Sequence, residues 1–401
     1  MSNFVESDNK KEIYLDYAAL TPIDKGVLKK MLFYYDAKYG NPSSLHENGR
    51  RAKQVLEKSR AAIGKIINAL PEEIIFTASG TEADNLAVIG LARANCKKGD
   101  HILLSAIEHK AVIQAAKYLT KEGFDVEVVP VNQCGLMNVE ACLAMVKKET
   151  ILISVMYVNN EIGTIEPIQK LASELKKINS PLRPFLHVDA CQASNLLSLD
   201  VKELGVDLMT INSSKVYGPL GVACLYKKSG ISLEPLVVGG EQERNFRAGT
   251  ENLPLIVGFT EALTKAQAIK EKEYEKFKNL EKYFTTKLKE KIPEVIINGY
   301  LPNKIPSTVH VSIPNIEGES MILMLDQYGV RASTGSACSA FDLRPSHVLL
   351  AIGQNPDLVH GSVRFSFGRF TTKKDLDTVL EIFPKIVQKL KNISALTIKK
   401  Q

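Results

Sequence analysis

Short apolar segments alternate with longer amphipathic segments until about Thr250. The apolar segments are rich in Ile, Val and Leu, whereas the amphipathic ones place apolar residues three or four positions apart, as helices do. The predicted strands are 73–77, 102–105, 126–129, 151–155, 185–188, 207–211 and 221–226. One predicted helix covers 46–70, and others begin near 81, 110, 138 and 167. Apolar strands that alternate with helices predict an α/β fold, with a mostly parallel seven-stranded sheet covered on both faces.

The pattern changes after Thr250. A Lys- and Glu-rich stretch predicts one long helix over 263–291. Further helices are predicted at 317–327, 344–351 and 373–391, and strands at 294–297, 308–312 and 363–367. We therefore expect a large domain of residues 15–255 and a smaller α+β domain formed by residues 1–14 and 256–401.

Composition and charge argue against several classes of protein. Of 401 residues, 45% are hydrophobic and 24% charged, which is typical of a globular protein rather than a disordered or coiled-coil one. The net charge of +6, from 51 basic and 45 acidic residues, is too mild for a dedicated nucleic-acid-binding protein. No apolar run reaches the ~18 residues that span a bilayer, and the N-terminal segment lacks the apolar stretch of a secretory signal. We expect a cytoplasmic protein that contacts neither membrane nor nucleic acid directly. Its C-terminal lysines indicate a solvated helix face or a docking surface for an acidic partner.

The six cysteines include no CxxC pair, so neither a zinc ribbon nor another metal site is expected. Cys96, Cys134, Cys142 and Cys224 are interpreted as ordinary core or surface thiols. Cys338 differs, because it lies in the Gly- and Ser-rich stretch 333–340, which predicts a loop with an accessible, reactive thiol.

Three segments carry candidate chemistry. Ser79–Asp84 follows a strand and opens a helix, where Gly80 and the hydroxyl of Thr81 could seat a phosphate, or where the same residues could simply cap the helix. Asp189 ends a buried strand and could hold a protonated ring nitrogen, or be a structural carboxylate. Lys215 follows another strand and could form a Schiff base, or be a surface lysine. Together these are the parts of a pyridoxal-phosphate site.

Nine segments in order resemble the cysteine desulfurases, which belong to the class V aminotransferases and the fold-type I pyridoxal-phosphate enzymes. The resemblance extends from Tyr14 to about Thr372. The segments are Gly40–His46, Phe76–Asn85, Glu108–Ala111, Val158–Gly163, His187–Gln192, Lys215–Pro219, Arg247–Asn252, Gly335–Cys338 and Val363–Ser366. The segment around Cys338 resembles the subgroup that serves iron–sulfur cluster assembly and tRNA thiolation.

The resemblance implies pyridoxal 5'-phosphate as the cofactor. Lys215 matches the lysine that links to the cofactor and moves the substrate Cα proton, Asp189 matches the partner of the ring nitrogen, and His109 matches the residue that stacks on the ring and acts as acid or base. The other cofactor-binding residues implied are Gly80, Thr81, Asn160, Gln192, Asn212, Ser214 and, from the neighbouring subunit of a homodimer, Thr250.

The resemblance also implies the reaction. L-cysteine would be converted to L-alanine, its carboxylate held by Arg364 beside Asn41, and its sulfur would pass to Cys338 as a persulfide. A sulfur-acceptor protein, either a cluster scaffold or a tRNA thiolase, would then take the sulfur. Two alternatives are a selenocysteine lyase and a non-catalytic assembly scaffold. The presence of both Lys215 and Cys338 argues against the scaffold.

The chain departs from the family pattern at one position in the site. The family usually has histidine directly before the lysine, as a phosphate ligand, and here that position is Ser214. Serine can donate a hydrogen bond to phosphate but brings no positive charge, so we expect weaker retention of the cofactor. The C-terminal tail also lacks the tryptophan found in relatives that dock the cluster scaffold, which leaves the sulfur acceptor open.

Overall fold

The structure is a computed structural model that describes residues 12–35, 38–179, 183–299, 302–335 and 345–393. Its internal packing divides the chain into two units. The larger unit comprises Leu20–Asn159 and Thr164–Lys272, and the smaller unit comprises Met1–Ala19, Asn160–Gly163 and Glu273–Gln401. The division into domains of 15–255 and of 1–14 with 256–401 stays a prediction.

The larger unit is built on a seven-stranded sheet, as the alternating pattern predicts. In chain order its strands are β2 (Ile74–Thr77), β3 (His101–Ser105), β4 (Asp125–Val129), β5 (Thr150–Ser154), β6 (Phe185–Asp189), β7 (Leu208–Asn212) and β8 (Ala223–Lys227). They are arranged in the order β2-β8-β7-β6-β5-β3-β4. Only β8 runs against the others, because its pairings with β2 and β7 are both antiparallel. The carboxyl ends of the other six strands therefore share one edge, where ligands of open α/β sheets bind.

Helices cover this sheet because its strands are apolar on both faces; every residue of β2, β3, β5 and β8 is buried. The helices are α1 (Lys25–Phe33), α2 (Glu47–Ile67), α3 (Gly80–Asn85), α4 (Leu91–Asn95), α5 (Lys110–Thr120), α6 (Val139–Ala144), α7 (Ile168–Leu175), α8 (Val201–Leu204) and α9 (Leu253–Ala268). A π-helical segment, Leu86–Gly90, joins α3 to α4. The prediction of a helix over 46–70 is confirmed within a few residues by α2.

The smaller unit contains two small sheets and the remaining helices. Its strands are β1 (Ile13–Tyr14), β9 (Ile296–Asn298), β10 (Thr308–Ser312), β11 (Val330–Arg331) and β12 (Ser362–Ser366). Its helices are α11 (Gly318–Gln327), α12 (His347–Ala351), α13 (Pro356–Val359) and α14 (Lys373–Ile393). Strands β12, β10 and β9 form an antiparallel sheet in that order, and β1 pairs with β11 in parallel. An α+β character is thus confirmed for this part of the chain.

The single helix predicted over 263–291 is wrong in two respects. Helix α9 begins earlier, at Leu253, where the side chain of Asn252 caps the first turn and Pro254 fits the first helical positions. The helical run is then interrupted at Ile269, whose φ of −119° is not helical, before α10 (Lys270–Lys291) begins.

Within the described parts of the chain, no helix is both long enough and apolar enough to cross a bilayer.

Candidate active site

The carboxyl edge of the seven-stranded sheet brings four predicted site residues into one region of the larger unit. Gly80 opens α3 after β2, His109 precedes α5 after β3, Asp189 ends β6, and Lys215 lies in the turn after β7. Because these strands point the same way, the segments that follow them converge at one edge.

Asp189 is fixed by its place at the end of β6. Its backbone oxygen accepts from the N–H of Tyr157 at 2.9 Å, and its Oδ1 accepts from the N–H of Cys191 at 2.9 Å. The residue is only 6% exposed. A carboxylate held by both its backbone and its side chain has little freedom to turn away from a ligand.

Gly80 lies where a side chain would be crowded. A Cβ at this position would come within 3.1 Å of the Asn212 amide nitrogen and 3.2 Å of the Cys191 sulfur. Ser79 next to it caps α3 by accepting from the N–H of Glu82, and the carboxylate of Glu82 accepts from the N–H of Ala78. The capping interpretation of this segment is therefore realised. This capping does not involve the Thr81 side chain, which is exposed. It also does not change the surroundings of Gly80, where Asn212 and Cys191 lie close to the backbone.

His109 is the N-cap of α5, and its ring orientation follows from that role. Its Nδ1 accepts a hydrogen bond of 3.1 Å from the N–H of Ala111. In the neutral ring the proton is therefore assigned to Nε2, which is left as the donor. A half-buried imidazole with a defined tautomer suits an acid–base group.

The turn that carries Lys215 is held from both sides. Asn212 ends β7, and its side-chain oxygen accepts from the N–H of Ser214 at 3.1 Å. The carbonyl oxygen of Ser214 accepts from Thr21, whose hydroxyl in turn accepts from the N–H of Tyr217 at 2.8 Å. Tyr217 has a left-handed backbone, with φ of 63°, and is buried. The chain around the half-buried Lys215 is thereby tightly constrained.

A buried polar cluster, consisting of Asp84, Glu108, His187 and Cys191, lies in the same unit. Hydrogen-bonding contacts of 2.8 Å and 3.2 Å join the His187 ring to Ser154 and Thr210. Burial lowers the pKa of His187 to about 4, so the ring is neutral at pH 7. Its Nε2 lies 3.7 Å from Asp84 Oδ1.

The pKa values of the two acidic members of this cluster, Asp84 and Glu108, are both shifted upward. Burial, and then the negative charge of Asp189, raise the pKa of Asp84 well above its usual value. Burial raises the pKa of Glu108 in the same way, although its carboxylate accepts from the N–H of Met156 at 2.7 Å. Sequence reasoning assigned no role to Asp84, Glu108 or His187. The available signal was their position next to motif residues, inside segments that are otherwise apolar.

Two further predicted residues of the larger unit are exposed. The side-chain oxygen of Asn41 accepts a hydrogen bond of 2.9 Å from the N–H of Ser43. Thr250 lines a cleft of about 200 Å³ together with Phe76, Thr77 and Glu251. Gln192 is half-buried and lies three residues after Asp189.

Arg364 and Asn160 belong to the smaller unit, where they contact each other. The Nη1 group of Arg364 donates to the Asn160 carbonyl at 2.7 Å and to the Gly335 carbonyl at 3.2 Å. Its Nη2 donates to Asp16 Oδ1 at 2.8 Å. The guanidinium is almost fully buried, and within the described residues its Nε has no hydrogen-bond partner. Its predicted role as the carboxylate-binding group stays a prediction.

Cys338 lies outside the described residues, within the segment 336–344. Of the described cysteines, Cys142, Cys191 and Cys224 are buried, Cys134 is half-buried and Cys96 is exposed. Burial raises the pKa of Cys142 to about 12 and shifts the pKa of Cys191 and Cys224 upward too. These three thiols are poor nucleophiles, because the thiolate is the reactive form.

The donor set fits pyridoxal 5'-phosphate. Asp189 provides a fixed carboxylate for a ring nitrogen, Lys215 an amine, and His109 an imidazole whose Nδ1 accepts from the N–H of Ala111. A Cβ at Gly80 would be crowded by Asn212, and a residue without a side chain at the start of α3 suits the close approach of a phosphate to the backbone.

Comparisons with known proteins agree with this site. The family described as aminotransferase class-V matches residues 13–379. A cysteine desulfurase IscS of Dictyoglomus turgidum is 45% identical over 385 residues, covering 96% of this chain and 97% of that relative. One of Archaeoglobus fulgidus is 42% identical and covers 96% and 99%.

Solved structures give the same result. A NifS-like protein superposes with a TM-score of 0.89 at 33% identity, covering 95% of this chain and 100% of that one. A structure titled SspA in complex with cysteine gives a TM-score of 0.76 at 30% identity, covering 90% and 100%. With Lys215 and Asp189 on the carboxyl edge of a fold-type I sheet, this chain belongs to the class V aminotransferase family, and within it to the cysteine desulfurases.

Proposed function

We propose that this protein is a pyridoxal-phosphate-dependent cysteine desulfurase, which converts L-cysteine to L-alanine and transfers the sulfur to Cys338 as a persulfide. The observation that carries the proposal is near-full-length identity of 38–45% to proteins named cysteine desulfurase, in a chain that has both Lys215 and Cys338. The SspA structure is described as a complex with cysteine, which supports the same substrate class.

Asp189, Lys215 and His109 have separate roles at the cofactor. The Asp189 carboxylate would hold the protonated ring nitrogen, and the cofactor would supply a sink for the electron pair left at the substrate Cα. The Lys215 amine removes that Cα proton and returns it later in the reaction. His109 donates from Nε2, since its Nδ1 is occupied by Ala111.

The buried cluster gives Asp189 a defined electrostatic setting. The raised pKa values of Asp84 and Glu108 favour their uncharged forms, and the pKa of about 4 leaves the His187 ring neutral at pH 7. The Asp189 carboxylate is then the negative group that a ring nitrogen meets, and the low dielectric of the surroundings strengthens that interaction.

The sulfur step follows from the chemistry of a thiolate. The Cys338 thiolate attacks the sulfur of the substrate, a new S–S bond forms, and the C–S bond breaks with its electron pair passing to carbon. That carbon takes up a proton and leaves as alanine, while Cys338 holds the persulfide. Sulfur is oxidised and carbon reduced in equal measure, so no external oxidant is needed.

The remaining roles are parts of the same proposal. Arg364 binds the substrate carboxylate with Asn41, which suits the bidentate geometry of a guanidinium. Gln192 and Asn160 bond near the ring oxygen, and Gly80, Thr81, Asn212 and Ser214 receive the phosphate. The exposed Thr250 completes the phosphate site of a neighbouring copy, which makes the working unit a homodimer. A cluster scaffold or a tRNA thiolase accepts the sulfur.

The decisive experiment measures alanine released from L-cysteine by purified protein in the presence of a thiol reductant, with and without added pyridoxal phosphate. We expect alanine from the wild type. We expect none above background from Lys215→Ala, or from Cys338→Ser, which keeps the size of the side chain but lacks the thiolate. Absence of alanine from the cofactor-loaded wild type would overturn the proposal and favour an assembly scaffold. Turnover that is far faster with selenocysteine than with cysteine would instead identify a selenocysteine lyase.

A further inference from the structure

Three side chains that can bind a metal ion lie together at the amino-terminal ends of strands β3 and β4. They are His101, the first residue of β3, and Asp125 and Glu127, the first and third residues of β4. His101 and Asp125 are paired in the parallel register of the two strands, and residues two apart on a strand point to the same face. One ring nitrogen of His101 and one oxygen of each carboxylate all lie within 4.8 Å of one another.

The His101 ring carries a buried nitrogen that the surrounding protein does not use. The residue is 1% exposed, and its Nδ1 lies 2.7 Å from the hydroxyl oxygen of Thr150. Among the residues that the structure describes, its Nε2 has no hydrogen-bond partner. This nitrogen faces Glu127, whose Oε1 is 3.5 Å away. Metal-binding histidines are arranged in this way, with one ring nitrogen held by a hydrogen-bonding group and the other turned to the ion.

The distance between His101 and Glu127 suits a shared metal ion. Zinc is bound by imidazole nitrogen at about 2.0–2.1 Å and by carboxylate oxygen at about 2.0–2.2 Å, in a tetrahedron whose ligand atoms are then about 3.4 Å apart. The Nε2–Oε1 distance of 3.5 Å already meets this requirement. The side chain of Asp125 is 55% exposed, so it is free to move the remaining distance towards an ion.

A lysine ammonium neutralises the two carboxylates in the structure. The Nζ of Lys147 lies 2.8 Å from Asp125 Oδ2 and also donates to Glu127 Oε1. The Lys147 side chain is 44% exposed, and ion pairs at such positions contribute little to stability. Its flexible stem can turn the ammonium into solvent. The two carboxylates therefore already attract a cation, and the one they hold is easily displaced.

We propose that His101, Asp125 and Glu127 form a binding site for Zn²⁺ or a chemically similar divalent ion, and that Lys147 competes with the ion for the two carboxylates. Zinc accepts imidazole and carboxylate ligands, and water would complete the tetrahedron. No metal site was expected from the cysteine spacing, and this one uses no cysteine.

The bound ion would tie β4, the edge strand of the seven-stranded sheet, to its neighbour β3. The site lies at the amino-terminal end of β3, and the candidate active site lies beyond the other end. Five residues of strand separate the two ends by about 13 Å. The site is therefore separate from the cofactor, and the proposal does not rest on the proposed function.

Titration calorimetry with ZnCl₂ on the cofactor-loaded protein tests the site. Accessible thiols are first blocked with iodoacetamide, because thiolates also bind zinc. The wild type should bind zinc, and Glu127→Gln should bind it at least about tenfold more weakly at this site, since the variant replaces a charged ligand of a partly exposed residue with a neutral one. Lys147→Met keeps a long side chain but removes the competing ammonium, and it should bind zinc about fivefold more tightly.

Two matched controls separate the site from general electrostatics. Glu140 is an exposed carboxylate of the same unit that pairs with Lys170 at 2.6 Å, and Glu140→Gln should leave the zinc affinity unchanged within about twofold. Lys148→Met removes the same charge as Lys147→Met, one position further along the chain, and should have a smaller effect. Equal zinc affinities of the wild type and Glu127→Gln, or equal gains from the two lysine variants, would overturn the proposal.

Amide hydrogen exchange locates the bound ion. Zinc should slow exchange of the β4 backbone amides severalfold in the thiol-blocked wild type, and more strongly in Lys147→Met, because binding to the folded state opposes local opening of the edge strand. The same addition should leave β4 unchanged in Glu127→Gln. Zinc that slows exchange only outside β3 and β4 would place the ion elsewhere and contradict the proposal.

Discussion

The hydroxyl of Thr21 donates a hydrogen bond of 2.9 Å to the carbonyl oxygen of Ser214, the residue directly before Lys215. The same carbonyl also accepts from the backbone N–H of Thr21 at 3.0 Å. The Thr21 hydroxyl accepts in turn from the N–H of Tyr217. A single threonine, nearly 200 positions earlier in the chain, therefore holds the backbone on both sides of the lysine.

Replacement of Thr21 by valine should destabilise the protein and loosen the lysine turn. Valine keeps the shape but removes the hydroxyl, which leaves the buried N–H of Tyr217 without its acceptor. An unsatisfied buried donor costs about 1–3 kcal/mol. Urea unfolding should show this loss, and a titration with pyridoxal phosphate should show weaker binding.

Thr21→Ser provides the control for this prediction. Serine retains the hydroxyl and loses only a methyl group, so its unfolding free energy and cofactor affinity should lie closer to the wild type than those of the valine variant. If the serine variant is as unstable as the valine variant, packing of the methyl group rather than the hydrogen bonds holds the turn.

Ser214→His should increase retention of pyridoxal phosphate. The position lies next to Lys215, and Asn212 Oδ1 fixes its N–H, so a new side chain starts from a defined backbone. A protonated imidazole adds an attractive interaction with phosphate, and we expect a dissociation constant lowered by about fivefold. Loss of cofactor during dialysis, followed by absorbance, measures this directly.

Ser214→Asn is the matched control for charge, since asparagine adds size and hydrogen-bonding capacity only. It should retain the cofactor about as well as the wild type. A folded Ser214→His protein that releases the cofactor as fast as the wild type would show that the missing imidazole does not weaken this site.

Regular strands were predicted closely because their sequences are short apolar runs between polar turns. The prediction of 308–312 is matched by β10 without any shift, and α5 begins at Lys110 as expected. The break at Ile269 could not be predicted, since the Ala- and Leu-containing end of α9 and the Lys- and Glu-rich α10 both consist largely of residues that favour helix. The interruption depends on tertiary contacts, and helix propensity, which is a local property of the sequence, does not report them.

The sequence predicted those site residues whose type is itself required by the chemistry of the cofactor. Lys215, Asp189 and Gly80 lie at or just after the carboxyl ends of β7, β6 and β2, which point the same way, so the sheet topology brings them to one edge. Asp84 and His187 were not predicted because their importance depends on burial, and their position beside motif residues in apolar segments does not show which partners they meet in the fold.

Glu166→Gln should stabilise the protein increasingly as pH rises. Burial raises the pKa of Glu166 to about 8, although its Oε2 accepts from the N–H of Met137 at 2.9 Å. Below pH ~4.5 the carboxyl is protonated in both the folded and the unfolded state. Between that pH and 8 the unfolded state loses the proton while the folded state keeps it, so stability falls by up to about 4 kcal/mol. Glutamine does not ionise and avoids this loss.

Melting temperatures at pH 5 and pH 8 measure the effect. The difference between Glu166→Gln and the wild type should be small at pH 5 and large at pH 8. Glu319→Gln, at an exposed position, should show no such pH dependence. A stability difference of the same size at both pH values would mean that Glu166 is not protonated in the folded protein.

Removal of the carboxylate of Glu243 should be among the most destabilising single changes in the larger unit. Arg60 donates to both of its oxygens, at 2.7 Å and 2.9 Å, and the N–H of Phe76 donates to one of them at 2.8 Å. Arg60 and Glu243 are 2% and 4% exposed. Glu243→Ala removes the buried counter-charge of Arg60 and leaves only the half-buried Glu57, 3.3 Å from its Nε, and breaking a buried pair in this way costs about 3–5 kcal/mol. Because the expected cost comes from the charge left behind, the double variant Arg60→Met, Glu243→Leu should recover much of the stability lost by Glu243→Ala. Urea unfolding of the single and double variants tests this, and a double variant that is less stable than Glu243→Ala would show that the ion pair itself is a net stabiliser.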